Sequence, residues 1–142
     1  MATVAQLLGQ KPRAVYSISA QAPVLDAIRL MAEHNIGALL VMSGAVLEGI
    51  VSERDYARKV ILKGRSSSDT PVRQIMTAEV ITVDPDSSAQ QCMQIMTERR
   101  VRHLPVVDQG RVLGMLSIGD LVRAMLVEQA QTIEQLESYI RS

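Results

Sequence analysis

At two places a serine stands three residues before an aspartate, each time at the end of an apolar, strand-like run. These are Gly49-Ile50-Val51-Ser52-Glu53-Arg54-Asp55 and Gly114-Met115-Leu116-Ser117-Ile118-Gly119-Asp120. The spacing is that of a capping box, in which hydroxyl and acid satisfy the first N–H groups of a helix, and it needs no function. The same place has a second use. Unpaired N–H groups at a helix start attract phosphate, and a carboxylate beside them can take both hydroxyls of a ribose. Each stretch is therefore a candidate nucleotide contact.

Arg54 adds a guanidinium able to pair with phosphate in bidentate fashion, where the second stretch has Gly119. The two places are expected to be unequal, with Arg58, Lys59, Lys63 and Arg65 thickening the positive field around the first. Such a charge run also reads as a solvated helix face. Upstream lie Ile36-Gly37-Ala38 and Val101-Arg102-His103-Leu104-Pro105. Gly37 lets a flat base approach the backbone, and Arg102 and His103 can reach phosphate or sugar; a lone histidine is equally at home as a structural residue. Catalysis finds no support. His34 and His103 make no metal pair, Cys92 sits on an apolar helix face, and Ser-His-acid, HExxH, GxGxxG and GxxxxGK[ST] spacings are absent.

The composition narrows the classes further. Of 142 residues 47% are apolar and 21% charged, enough for a core and too few charges for a disordered tail. Fifteen Lys+Arg balance fifteen Asp+Glu, so nothing marks a nucleic-acid or anionic-membrane binder. With no Phe or Trp and only three Tyr, base-stacking platforms are nearly absent, and aliphatic residues with eight Met must form the core. The single cysteine excludes an intrachain disulfide and fits a reducing setting. MATVAQLLGQKPR lacks a signal-peptide pattern, and no apolar run approaches the roughly 20 residues needed to span a bilayer, so a cytoplasmic location is expected.

The elements that must position these residues follow from an internal repeat. Residues 15–60 align without a gap on residues 80–125 at an offset of 65, matching Met31 with Met96, Leu39 with Leu104, Gly49 with Gly114, Ser52 with Ser117 and Asp55 with Asp120. TVAQLL at 3–8 resembles PVRQIM at 71–76, leaving three extra residues near Gly9 to Arg13. Each copy reads as strand, helix, strand, strand, helix. The first strands are expected at Tyr16 and Ile18 and at Val80 and Thr82, ended by Pro23 and Pro85. Core stripes follow at Val24, Leu25, Ile28, Met31, Ala32 and at Ala89, Cys92, Met93, Met96. Hairpins are expected over Ala38–Met42 and Val46–Ser52, turning at Ser43-Gly44, and over Leu104–Val107 and Arg111–Ser117, turning at Asp108-Gln109-Gly110, with last helices starting at Ser52 and Ser117. The expected division is 1–64 for the first copy with its lead-in helix, 65–127 for a linker with nothing to bury plus the second copy, and 128–142 for a helical tail. The tail's Ile133, Leu136 and Ile140 form an apolar stripe, which calls for a second chain or for folding back on its own module.

The duplicated pattern, PxxxxxxAIRLMAEHNIGALLV then GIVSERD, with HLPVVDQGRVLGMLSIGD in the second copy, resembles a tandem pair of cystathionine β-synthase (CBS) domains from about Thr3 to Val127. The resemblance implies an α/β (α+β) fold of two β-α-β-β-α units about a pseudo-twofold axis, with clefts that take AMP, ADP, ATP, NAD or S-adenosylmethionine. It implies that Asp55 and Asp120 hold ribose and Ser52 and Ser117 ribose or phosphate. Base and phosphate would be framed by Gly37-Ala38 and Arg102-His103, with Ala22 and Ser87 nearby and Ile50, Val51, Glu53, Arg58, Pro105, Met115, Leu116 and Ile118 in the same stretches. It also implies flat homodimers formed through helices. The function expected is a non-catalytic regulatory module that senses an adenine nucleotide, AMP or NAD first, and signals to a partner protein. The alternative is a structural dimerisation module with inert clefts; a small nucleotide hydrolase lacks its acidic metal cluster and base.

Overall fold

The computed structural model describes residues 2–10 and 15–141. They divide into two units, Val15–Ile81 and the described residues of 1–14 together with those of 82–142. The chain opens on α1 (Val4–Gly9), whose start is fixed by a capping box between Thr3 and Gln6.

In the unit Val15–Ile81, β1 (Ser17–Ile18) leads to α2 (Val24–His34), then β2 (Ala38–Ser43), β3 (Val46–Ser52) and α3 (Glu53–Tyr56). The sheet runs β1-β2-β3, with β1 parallel and β3 antiparallel to β2. Ala38 to Val41 are buried without a break because β2 is central and covered on both faces. α2 presents Val24, Ala27 and Met31 to Leu39, Val41 and Val51; Ala32, expected in that stripe, is exposed one step round the helix. It ends at Asn35, whose φ of 54° is the left-handed cap that asparagine tolerates. The hairpin turns at Gly44-Ala45, one residue later than expected, because the positive φ of Gly44 suits the first central position of a II′ turn. α3 runs into a π turn at Ala57–Ile61, followed by the left-handed Gly64.

The second unit repeats the plan with α4 (Ala89–Arg99), β4 (His103–Asp108), β5 (Arg111–Ser117) and α5 (Ile118–Arg141). Its first strand, expected at Val80 and Thr82, is reduced to one parallel bridge from Val83 to Val106. Proline supplies the reason. In the first copy the Leu40 amide donates to the Tyr16 carbonyl at 3.3 Å; the aligned residue in the second copy is Pro105, which has no N–H to give. The last helix and the tail are one continuous helix, α5, rather than a helix with a segment folded back.

The structure divides the chain differently from 1–64 and 65–127, because the lead-ins are exchanged. α1 packs in the second unit: the Val4 amide donates to the Ser87 carbonyl at 2.8 Å, the Ala5 amide to Pro85 at 3.0 Å, and Leu8 lies on Gly114. Residues 67–77 pack in the first unit, where a 3-10 turn at Val72–Gln74 sets Val72 and Ile75 in the core. There the Val72 amide donates to the Ala22 carbonyl at 2.8 Å, and Met76 lies on Gly49. Within the linker at 64–71, expected to bury nothing, Thr70 is buried, while residues 64–66, 68 and 69 are exposed. Of the three extra residues near Gly9 to Arg13, Lys11, Pro12 and Arg13 lie outside the described residues.

Candidate functional site

The hairpin of each copy folds the two candidate stretches onto one another. In the first unit Ala38 pairs with Ser52, and the Glu53 amide donates to the Gly37 carbonyl at 3.0 Å. In the second His103 pairs with Ser117, and the Ile118 amide donates to the Arg102 carbonyl at 2.9 Å. Gly37-Ala38 therefore borders Ser52 to Asp55, and Arg102-His103 borders Ser117 to Asp120, at the strand-to-helix junction of each copy.

Both capping boxes form. The Ser52 amide and hydroxyl each donate to Asp55 Oδ2 at 3.0 Å, and the Asp55 amide donates to Ser52 Oγ at 3.2 Å. The Ser117 amide donates to Asp120 Oδ2 at 2.8 Å, and the Asp120 amide returns a bond to Ser117 Oγ at 3.2 Å. With the first amide given to Gly37 or Arg102 and the third to serine, the expected row of unpaired N–H groups shrinks to the second, of Arg54 and of Gly119. The second oxygen of each aspartate meets a cation. Lys59 Nζ lies 3.2 Å from Asp55 Oδ1 and also donates to the Ile75 carbonyl at 2.9 Å. Arg123 Nη2 donates to Asp120 Oδ1 at 2.6 Å. The aspartate side chains are 16% and 6% exposed, so their charge is held close to these partners rather than spread into water.

These cations are what sequence reasoning missed. Lys59 entered only as part of a diffuse field and Arg123 only as the register match of Arg58, although Asp55 to Lys59 is an i, i+4 step and Asp120 to Arg123 an i, i+3 step. The copies use different rungs because the i+4 position is Lys59 in the first and Ala124 in the second, which leaves Arg123 at i+3 to meet Asp120. Arg58, which aligns with Arg123, is exposed.

Not every expected residue offers a side chain here. Ala38, Val51, Pro105 and Leu116 are buried, so only their backbone can face a ligand. The Ile50 backbone is taken by Thr77 in both directions, at 3.0 and 2.9 Å, and the carbonyls of Ala22 and Ser87 accept from the exchanged lead-ins. Arg54, Gly37, His103, Met115 and Gly119 are half-buried at the junctions, and Glu53, Arg102 and Ile118 are exposed. A Cβ at Gly119 would lie 3.6 Å from both Arg123 Nη1 and Ser117 Oγ, so that position has room and no charge of its own. Burial pushes the Cys92 thiol up from its usual range, with the Asp84 charge adding to the effect, which makes it a core group and not a nucleophile. Among the described residues no group of three or more His, Cys, Asp and Glu is placed to hold a metal, and no helix is long and apolar enough to cross a membrane.

Comparison with known proteins agrees with the duplicated geometry. The CBS domain family model matches residues 12–62 and again 72–127. The chain is 46% identical over 123 residues to the mitochondrial CBS domain-containing protein CBSX3 of Arabidopsis thaliana, covering 83% of this chain and 60% of that one. It spans, that is, less than two thirds of that plant relative. The solved structure of a putative signal-transduction protein with CBS domains from Burkholderia ambifaria is 53% identical, with a TM-score of 0.87 over 90% of this chain and 96% of that one. The CBS domain pair of protein MJ0100, solved with 5′-methylthioadenosine and S-adenosyl-L-methionine, is 25% identical with a TM-score of 0.79, over 89% of this chain and 98% of that one.

Proposed function

Because the chain belongs to the CBS domain family and carries two such domains in tandem, we propose that it is a non-catalytic regulatory module that binds an adenine nucleotide. The reading rests on one observation, made twice: a partly buried aspartate at a helix start, brought beside a second polar or glycine-bearing stretch by its own hairpin. Asp55 and Asp120 take the ribose hydroxyls, and Ser52 and Ser117 assist at ribose or phosphate. Gly37-Ala38 and Arg102-His103 frame base and phosphate. Arg54 pairs with phosphate in the first copy, which makes that copy the stronger phosphate site. AMP or NAD suits this set first, ATP or S-adenosylmethionine next; the adenosyl ligands bound to MJ0100 support the class. Binding shifts the population of the module's conformations, and a partner protein reads the change. The module acts as a homodimer in a reducing compartment such as the cytoplasm, where Cys92 stays a thiol.

The second reading, a dimerisation module with inert sites, draws on the same boxes: with every cap bond made inside the chain, helix capping alone accounts for the serines and aspartates. Thermal shift with AMP, NAD, ATP and S-adenosylmethionine separates the two. A rise in midpoint with at least one ligand supports the sensor, and no rise at millimolar ligand supports the inert module.

A further inference from the structure

The first turn of α5 is docked by Asp120 and Leu121, its two buried residues, and every residue from Gln129 to Arg141 is exposed. Val122, Leu126, Gln129, Ile133, Leu136 and Ile140 then follow one another at steps of four, three, four, three and four. All five apolar members are more than 40% exposed, Ile133, Leu136 and Ile140 at 56%, 58% and 81%. A helix lying on a globular surface needs a wider stripe with a period of 3.6. A 3.5-residue seam stays in register only with another helix of the same repeat, where its knobs enter matching holes.

The flanks say which helix and in which direction. Beside the seam stand Arg123, Ala130 and Glu137 on one side and Met125, Thr132 and Tyr139 on the other. Two parallel copies would set Met125 opposite Ala130 and Thr132 opposite Glu137, with no charge pair. Two antiparallel copies, crossing near Gln131, set Glu137, which lies 3.7 Å from Arg141 in its own chain, opposite Arg123, whose Nη2 is on Asp120 and whose other N–H groups remain to donate. That pairing is made twice, with small Ala130 opposite itself and Met125 opposite Tyr139. Their layers are Val122 with Ile140, Leu126 with Leu136 and Gln129 with Ile133, each made twice by the twofold symmetry. Opposed helix dipoles favour the same direction.

We infer that α5 pairs with α5 of a second copy as an antiparallel coiled coil from Val122 to Ile140, a seam of about 27 Å at 1.5 Å per residue. This deepens the homodimer reading above by naming its interface, and it does not depend on which nucleotide binds.

The test uses the full chain without ligand. Sedimentation should give a dimer, and Ile133→Asp, a change at an exposed position that leaves the core alone, should raise its dissociation constant roughly 100-fold or more, since two copies of that side chain are lost from the interface. Circular dichroism of the variant should keep the folded signal. Direction is read by oxidation: Leu126→Cys and Leu136→Cys chains, mixed, should form the mixed disulfide, while neither alone links to itself. A monomeric full chain overturns both the seam and the homodimer reading. A dimer indifferent to Ile133→Asp overturns the seam alone, and a Leu126→Cys homodisulfide overturns the antiparallel register.

Discussion

Asp55 and Asp120 each do two jobs that a well-chosen substitution can separate. One carboxylate oxygen closes the cap and the other faces Lys59 or Arg123. Asparagine keeps an acceptor for the serine amide but loses the charge that grips a diol. Asp55→Asn and Asp120→Asn should therefore leave stability within about 1 kcal/mol of the parent, the size of a cap or of a partly exposed ion pair, yet weaken nucleotide binding roughly tenfold or more. Isothermal titration checks this; an unchanged isotherm in the folded double variant would remove the aspartates from the site. Arg54→Ala should narrow the gap between AMP and adenosine, because only AMP offers a phosphate to the guanidinium. An equal loss for both ligands would make Arg54 structural. Cys92 allows a statement about pH. Its thiol is held above the ordinary 9.0, so the folded chain keeps a proton that the unfolded chain releases. The stability this contributes is full below that ordinary value and is lost as pH rises through the raised one. Alkylation at pH 8 should accordingly be slow in the native protein and fast once denaturant unfolds it.

Among the elements, the hairpins and caps were legible because their signals are local: Gly44 for one turn, Gln109-Gly110 for the other, and a serine three residues before each aspartate. The π turn at Ala57–Ile61 was not, since no residue in Ala-Arg-Lys-Val-Ile advertises it. The missing strand near Val80 follows from a proline whose own position was read correctly but whose silence toward the neighbouring strand was not. In the sequence Gly49 and Gly114 are letters of the repeated motif; in the structure each is the flat spot on which a lead-in rests. Their settings differ. A Cβ at Gly49 would come within 2.8 Å of the Thr77 carbonyl oxygen and of Met76 Sδ, whereas one at Gly114 would meet only the end of Leu8, Cδ2 at 2.9 Å. Backbone cannot step aside and a leucine tip can. Gly49→Ala should cost about 1 to 3 kcal/mol in denaturant unfolding and Gly114→Ala distinctly less; equal costs would show that Met76 and Thr77 yield as easily as Leu8.

At the scale of the whole molecule the repeat announced two copies, but not which lead-in serves which. TVAQLL and PVRQIM each precede a copy in sequence, and proximity along the chain suggests that each belongs to the copy it introduces. Packing decides otherwise, and sequence similarity explains why it could not be read off: the two lead-ins are alike in sequence, so neither carries a mark of the platform it serves. The structure seats α1 in the second unit, with Val4 and Leu7 buried, and residues 67–77 in the first, with Val72 and Ile75 in its core. A cut at residue 64 would strip the first copy of part of its own interior. The exchange predicts where damage appears. Leu7→Ala and Ile75→Ala should each cost about 2 to 5 kcal/mol, as buried large-to-small changes do. Hydrogen exchange should then place the loss of protection across the sequence: Leu7→Ala loosening α4 and β5, residues 89–117, and Ile75→Ala loosening α2 and β2, residues 24–43, first. If Leu7→Ala instead opens residues 15–62 while 82–127 stay protected, the lead-ins are not exchanged and each copy folds with its own.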